Sequence, residues 1–322
     1  MANTQTQIQS DVVIRPLVEK DLPAADQVMR VAFGTYVGIP EPSTFFGDSD
    51  YANTRWRAHP KDTFVAEANG EIVGSAFVTW WGSFALFGPL TIRPDYWDRG
   101  LGRRLMEPVV DLFEGRNIRL AGLFTFPDSA KHLGLYQKFG FHPMCLTAVM
   151  SKEIEPVKSS LEWTRFSQHS EAEQKQCLGK CREATDSIYE GLDLTHEIQS
   201  IQHQGLGDTV LLWRNSKLVG FAACHSGPGT EARSGTCYVK FGACKTSDRA
   251  SEDFQILLAA CQEFAVSVGQ PRLMAGVNTA RREAYYQMQR SGFRTEFLGI
   301  AMHRPSEPGW SRPGDYVIDD WR

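Results

Sequence analysis

The chain has 322 residues, of which 42% are hydrophobic and 22% are charged, and its net charge is −4. At about 100–200 residues per domain this length predicts two domains, and the composition excludes collagen-like repeats, disulfide miniproteins and disorder over most of the chain. Because 34 Lys and Arg stand against 38 Asp and Glu, no broad basic surface for nucleic acid is expected.

The first half predicts short strands that alternate with helices. A strand is expected near 11–16 and a helix near 20–33, followed by a loop over 34–50 and a short helix near 51–58. Further strands are expected near 63–68, 71–80, 84–93, 118–126 and 141–150, with helices near 101–115 and 129–139. Antiparallel strands followed by β-α-β units predict an α/β or α+β fold.

Residues 74–92 carry no charge and approach the length of about 20 apolar residues that a membrane-spanning helix needs. Gly82-Ser83 and Gly88-Pro89 interrupt this run, so it predicts two buried strands and no membrane contact. The polar N-terminus lacks the apolar core of a signal peptide, and seven cysteines without a Cys-x-x-Cys pair predict free thiols. We therefore expect a cytoplasmic protein.

The two halves of the chain resemble each other. Asn69–Gly74 and Asn215–Gly220 both predict a hairpin, and Gly140-Phe141 returns as Gly292-Phe293. The polar segment 151–160 predicts a linker between a domain over 11–150 and another over 161–303, whose helices are expected near 171–188, 250–268 and 280–290. The tail, 304–322, contains two tryptophans and is expected to pack on the body or on a second subunit.

Residues 90–104, LTIRPDYWDRGLGRR, combine the end of a buried strand with a Gly-rich turn and a helix start. Gly100 and Gly102 allow a ligand to approach the backbone, and the first turn of a helix offers unpaired N–H groups to an anion. The turn therefore predicts a phosphate site, although a Gly-rich turn with solvated arginines is the alternative. It lacks both a Walker loop and the third glycine of a dinucleotide fingerprint.

Trp97–Gly102 resembles the coenzyme A pyrophosphate loop of the GNAT N-acetyltransferases, Gln/Arg-x-x-Gly-x-Gly/Ala, with Trp97 departing at the first position. Ser129–Phe141 resembles the family's Ala-x-x-Leu-Tyr-x-x-x-Gly-Phe segment. The resemblance covers 11–150 and, in outline only, 161–303. It implies two tandem GNAT-like acyl-CoA N-acyltransferase folds with mixed, mostly antiparallel sheets flanked by helices.

The resemblance also implies site residues. Tyr136 would protonate the coenzyme sulfur, with a structural aromatic as the alternative, and the general base is not identified. The implied coenzyme-binding residues are Leu90, Thr91, Ile92, Arg93, Asp98, Arg99, Gly100, Leu101, Gly102, Arg103, Arg104, Ser129 and Lys131. The expected acceptor pocket has aromatic walls and includes Phe45, Phe46, Asp48 and Trp80. The aromatic residues could equally belong to the core, and Asp48 could be an ordinary loop carboxylate. Acetyl-CoA is the expected co-substrate, and no metal is expected.

The second half lacks both the coenzyme-binding turn and the tyrosine, because residues 238–250 contain no Gly-x-Gly and Met288 stands at the position of Tyr136. It is expected to be a degenerate repeat that completes the acceptor pocket or builds a homodimer. The predicted function is acetyl-CoA-dependent N-acetylation of a small amine by direct attack on the thioester. The alternatives are a non-catalytic acyl-CoA-binding sensor or adaptor and a transferase that uses a longer acyl-CoA.

Overall fold

The computed structural model describes residues 12–116, 118–154 and 162–322. Its first half begins with strand β1 and helices α1 and α2, continues through three strands, and ends with two helices that alternate with two strands. The bounds are β1 (Val12–Pro16), α1 (Leu22–Val37), α2 (Ala52–Ala58), β2 (Thr63–Ala68), β3 (Glu71–Trp81), β4 (Phe84–Ile92), α3 (Leu101–Gly115), β5 (Leu120–Thr125), α4 (Ala130–Gln137) and β6 (His142–Glu153).

The second half follows the same order of strands and helices and adds a short strand in the tail. The bounds are β7 (Trp163–Arg165), α5 (Glu171–Asp186), α6 (Thr195–Gln204), β8 (Gly207–Arg214), β9 (Lys217–Gly227), β10 (Arg233–Cys244), α7 (Ala250–Ser267), β11 (Arg272–Asn278), α8 (Arg282–Arg290), β12 (Arg294–Arg304) and β13 (Val317–Ile318). The repeated order follows the internal similarity of the sequence.

The strands form one continuous sheet in which the halves exchange their last long strands. The order is β1-β2-β3-β4-β5-β12-β6-β11-β10-β9-β8-β7, and β13 pairs with β10. Strand β12 of the second half lies against β5, with Met302 opposite Leu123, while β6 of the first half lies against β11, with Thr147 opposite Asn278. Each half therefore depends on the other for a strand at the centre of the sheet.

The alternation of buried residues along the strands places helices on both faces of the sheet. Val65 and Phe77 pack in the cluster that contains α1 side chains, whereas Ala66 and Val78 pack with the apolar side of α3. The helix face buried here includes Leu105, which is fully buried. This two-sided burial explains why β3 and β4 read as an uncharged run.

The tail packs on the body of its own chain. Trp310 and Trp321 are buried, and Val317 and Ile318 of β13 pair with Ala243 and Gly242 of β10. The apolar residues of the tail are therefore used to pack it against the sheet.

The expected elements of both halves are confirmed, with ends that differ by a few residues, and residues 74–92 form β3 and β4 as expected. Sequence reasoning missed α6, which is short and carries few apolar residues. Residues 151–153 of the expected linker continue β6, and residues 155–160, like 1–11 and 161, lie outside the described residues. The domain limits stay a prediction. In the described ranges no helix is both long and apolar enough to cross a bilayer.

Candidate active site

A cavity of about 750 Å³ opens between the end of β4, the start of α3 and the face of α4. This volume falls in the range of about 300–1,000 Å³ that small-molecule sites occupy. The sequence-predicted site residues that line it are Leu90, Thr91, Ile92, Asp98, Gly100, Leu101, Gly102, Arg103, Lys131 and Tyr136. The structure therefore brings together residues that are up to 46 positions apart in the sequence.

The cavity exists because β4 leaves its neighbour β5 part-way along its length. The two strands pair in parallel only where Phe84–Leu86 lie beside Leu120–Gly122. Beyond that point the pairing of β4 with β3 shifts register between Ala76 and Val78, at the Gly88-Pro89 step. Proline cannot donate to a ladder, so a break in pairing is expected there. The released segment, Leu90–Ile92, forms one wall of the cavity.

The N-terminus of α3 forms the second wall. Gly100 is its N-cap residue and has φ +73°, in the left-handed region that glycine adopts without strain. A Cβ on Gly102 would lie 3.2 Å from Cδ2 of Leu135, which is tight packing against α4. The first amides of a helix have no intrahelical acceptor, and the helix dipole is positive at that end. The turn can therefore bind a phosphate group through its backbone.

Cationic side chains surround this turn. Arg103 lines the cavity, and Lys131 lies 2.7 Å from the Asp98 carboxylate at its rim. The Arg99 guanidinium lies over the ring of Tyr96, 4.8 Å from its centroid. Arg103 and Lys131 are exposed and line the cavity, whereas Arg99 is half-buried and does not line it. All three add positive charge near the turn.

Two of the predicted arginines have other contacts. Arg93 forms ion pairs with Glu71 at 3.0 Å and Asp95 at 2.8 Å, and it lines a different cavity together with Glu71. Arg104 donates through Nη2 to the carbonyl of Val12, at 2.6 Å, and so ties α3 to the edge strand. Neither lines the cavity. Ser129 acts as the N-cap of α4, since its Oγ accepts from the amide of His132 at 3.4 Å.

Tyr136 lies at the inner end of the cavity. Its side chain is 7% exposed and packs edge-on against Phe87, with ring centroids 5.6 Å apart. Burial raises the pKa of the Tyr136 phenol above its usual value and outweighs the opposing hydrogen bond with Thr125. The hydroxyl is therefore protonated across the neutral range and can donate a hydrogen bond into the cavity.

The sequence profile of the Acetyltransferase (GNAT) family matches residues 32–141, which include the Gly-rich turn and Tyr136. This chain contains a GNAT acetyltransferase domain. It is thus an enzyme of the acyltransferase class. A search of curated proteins found no match to the sequence.

Some solved structures resemble the whole chain and not only the GNAT domain. A putative acetyltransferase from Pyrococcus horikoshii aligns with a TM-score of 0.67 at 16% identity, over 97% of this chain and 95% of that chain. A GCN5-related N-acetyltransferase from Sphaerobacter thermophilus aligns with a TM-score of 0.62 at 15% identity, over 94% of this chain and 97% of that chain. At these identities the likeness shows the fold, and it extends across both halves.

Aromatic side chains line the cavity of the GNAT domain, but they are not the aromatic residues that the sequence predicted. Phe33 and Tyr36 of α1 line it together with Phe126 and His132. The predicted residue Phe45 stacks on Phe33 with centroids 5.8 Å apart, behind the cavity wall. Phe33 and Tyr36 lie three residues apart on α1, and such a pair faces one side of a helix. The predicted helix ended near residue 33 and placed Tyr36 in the loop, so this signal was missed.

The other predicted acceptor residues, Phe46, Asp48 and Trp80, also lie outside this cavity. Phe46 packs in the core beside α1. Asp48 accepts from the amide of Ser234, at 3.0 Å, and so links the long loop to the second half. Trp80 donates through Nε1 to Asp62 at 2.8 Å and lines a separate cavity of about 370 Å³.

No described carboxylate other than Asp98 lines the cavity of the GNAT domain. Glu67 and Asp50, on a neighbouring strand and on the long loop, lie outside the cavity, where Glu67 pairs with Arg15 and Asp50 accepts from Asn53. His132 does line the cavity, and burial lowers the pKa of its imidazole, so it is neutral at physiological pH. In the described part of the chain no three His, Cys, Asp or Glu side chains form a metal site.

The second half has the same break in its sheet, but the opening is filled. Strand β10 pairs with β11 in parallel over Thr236–Val239 and then pairs with β13 of the tail. On β11, the Cβ that Gly276 lacks would lie 2.2 Å from Cβ of Asp320, so the tail contacts the backbone directly. Met288, at the position that corresponds to Tyr136, is fully buried.

Proposed function

We propose that the protein transfers an acetyl group from acetyl-CoA to the nitrogen of a small amine, within the cavity of the first half. The observation that carries the proposal is the convergence of three parts on one cavity. These are a helix N-terminus with a glycine cap at Gly100, a strand segment at Leu90–Ile92 that pairs with β3 but no longer with β5, and a buried phenol at Tyr136.

The fit of coenzyme A rests on this geometry. Amides at the start of α3 would bind the pyrophosphate. Glycine suits position 102, because a side chain there would crowd the turn against Leu135. Backbone groups of Leu90–Ile92 would hold the pantetheine amides and polarise the thioester carbonyl. Acetyl-CoA supplies the activated acyl group, since its C–S bond is the bond that breaks.

Residues of the chain would then transfer one proton from the amine nitrogen to the leaving sulfur. The amine nitrogen attacks the carbonyl carbon and forms the C–N bond, and the leaving sulfur needs a proton. Tyr136 donates that proton and regains one from the nitrogen through water, so the balance is one amide and one free thiol. His132 is neutral and lines the same cavity, so it can take the proton from the nitrogen first and pass it through water to Tyr136.

We also propose that the second half binds no coenzyme and that its tail takes the place of one. The acceptor is a small molecule and not nucleic acid or a membrane, and the protein works in the cytoplasm. The exchanged strands leave neither half complete by itself, so stoichiometry is measured on the full chain. Calorimetry with coenzyme A should give one site per chain, and two sites would refute the assignment of the second half.

The activity is tested by thioester cleavage with acetyl-CoA and a panel of small amines. We expect free thiol to form at a rate that depends on one class of amine. Coenzyme binding without thiol release, across the panel, would favour an acyl-CoA-binding sensor instead. A faster rate with a longer acyl-CoA would reassign the acyl group.

A further inference from the structure

Arg55, on α2, is a buried cation that contacts both halves of the chain. Its side chain is 2% exposed. Nη1 donates to the carbonyl of Gly88, at 2.5 Å, and Nε and Nη2 donate to the Glu231 carboxylate, at 3.1 and 3.0 Å. Glu231 lies between β9 and β10 in the second half, 176 positions along the chain. One guanidinium thus links the second half to a backbone atom of β4.

That backbone atom lies where β4 breaks its pairing. Leu90 pairs with Ala76 of β3 and Phe87 with Val78, so Gly88 and Pro89 have no partner in the register between them. A half-buried carbonyl without a partner in the ladder is stabilised by a hydrogen-bond donor, and Arg55 supplies it. The next residues, Leu90–Ile92, form the wall along which the thioester would lie. The Arg55 contact therefore fixes the point at which the cavity begins.

We propose that Arg55, held by Glu231 of the second half, is a positioning residue for the acyl-transfer cavity. The proposal rests on the proposed acetyl transfer. The second half then contributes to the reaction through the geometry of β4, without touching a substrate.

The surroundings of Glu231 keep this contact charged. Lys240 lies 2.9 Å from Glu231 Oε1 and 3.0 Å from Glu197 Oε1, so two cations and two carboxylates balance in the buried network. Although burial favours the neutral acid, Arg55 and Lys240 hold the pKa of the Glu231 carboxyl well below its usual value. A charged carboxylate is a stronger partner for the planar guanidinium than a neutral amide would be.

Glu231→Gln removes the charge and keeps the shape. If Arg55 shifts and releases Gly88, the thioester is misplaced while the phosphate turn at Gly100 is untouched. Displacement by about 1 Å can slow a reaction about 100-fold. We therefore expect kcat to fall by roughly 10- to 100-fold, with KM for acetyl-CoA changed by less than about threefold.

The control is Asp253→Asn, which removes a buried carboxylate that pairs with Arg214 in the second half and has no contact with Arg55. Glu231→Gln and Asp253→Asn are compared well below their melting temperatures, so that a general loss of stability would change kcat of both variants alike. Arg55→Lys is the second test, because it keeps the positive charge beside Glu231 and loses the planar fork. It should lower kcat as Glu231→Gln does.

A kcat for Glu231→Gln and Arg55→Lys within about twofold of Asp253→Asn would overturn the inference and leave the proposed function standing. Absence of thioester cleavage by the unmodified protein would refute the proposed function, and the inference with it. A similar fall in kcat for Glu231→Gln and Arg55→Lys, with KM for acetyl-CoA preserved, would support the positioning role of Arg55.

Discussion

Substitution of Tyr136 by Phe removes one oxygen from a buried ring at the cavity wall and leaves the packing against Phe87 in place. A positioned proton donor contributes about 10²- to 10⁴-fold to a rate. At 1.36 kcal/mol per tenfold, this corresponds to about 2.7–5.4 kcal/mol of transition-state stabilisation. The lost hydrogen bond with Thr125 costs only about 1 kcal/mol of folding stability. We therefore expect a large loss of kcat and a small loss of stability.

The assay separates these two effects. Thiol release is measured at saturating acetyl-CoA, coenzyme affinity by calorimetry, and stability by thermal unfolding. We expect kcat for Tyr136→Phe to fall at least about 100-fold, the coenzyme dissociation constant to change by less than about threefold, and Tm to drop by roughly 2 °C. A kcat within threefold of the unmodified protein would refute the role of Tyr136 as proton donor and leave it a packed aromatic.

Gly100→Val should weaken coenzyme A binding at least about tenfold by calorimetry, because φ +73° is strained for valine. The control Gly269→Val, at φ +74° after α7, should leave affinity unchanged, and equal losses would argue against the phosphate turn. Trp321→Ala should destabilise the protein by about 3–5 kcal/mol in urea unfolding, since this buried ring packs on Phe84, and a loss below about 1 kcal/mol would contradict that. Burial lowers the pKa of His59 to about 4, so the unfolded chain, with a pKa near 6.5, takes up the proton first as the pH falls. Stability should drop from pH 6.5 towards 4, by about 2 kcal/mol at pH 5, and His59→Gln should narrow the Tm difference between pH 7 and pH 5.

Local signals were enough to predict most elements and one wall of the site. The amphipathic spacing of Leu101 and Leu105, after the Gly100 turn, locates α3 because a helix start and its buried face are both set by neighbouring residues. The same holds for α4, which ends before Gly140 at φ +79°. Tyr136 then reaches the cavity because α4 packs beside the open edge of β4.

What sequence reasoning missed depends on contacts between distant segments. Nothing local marks β6 and β12 as exchanged, since each strand is compatible with either half and only the pairing differs. Asp48 looked like an acceptor ligand because it lies in a loop, yet its partner is Ser234, 186 positions away. The Arg55–Glu231 pair could not be found for the same reason.

The exchanged strands and the filled second opening let the second half support the cavity of the first half. A sheet that breaks its pairing exposes unpaired backbone groups, and these need a partner. In the first half the break leaves a cavity beside Leu90, while in the second half β13 pairs with β10 and closes it. The tail then continues to Trp321, which packs against Phe84 of β4. The second half, whose corresponding opening is filled by its own tail, thus supports the strand that forms the cavity of the first half.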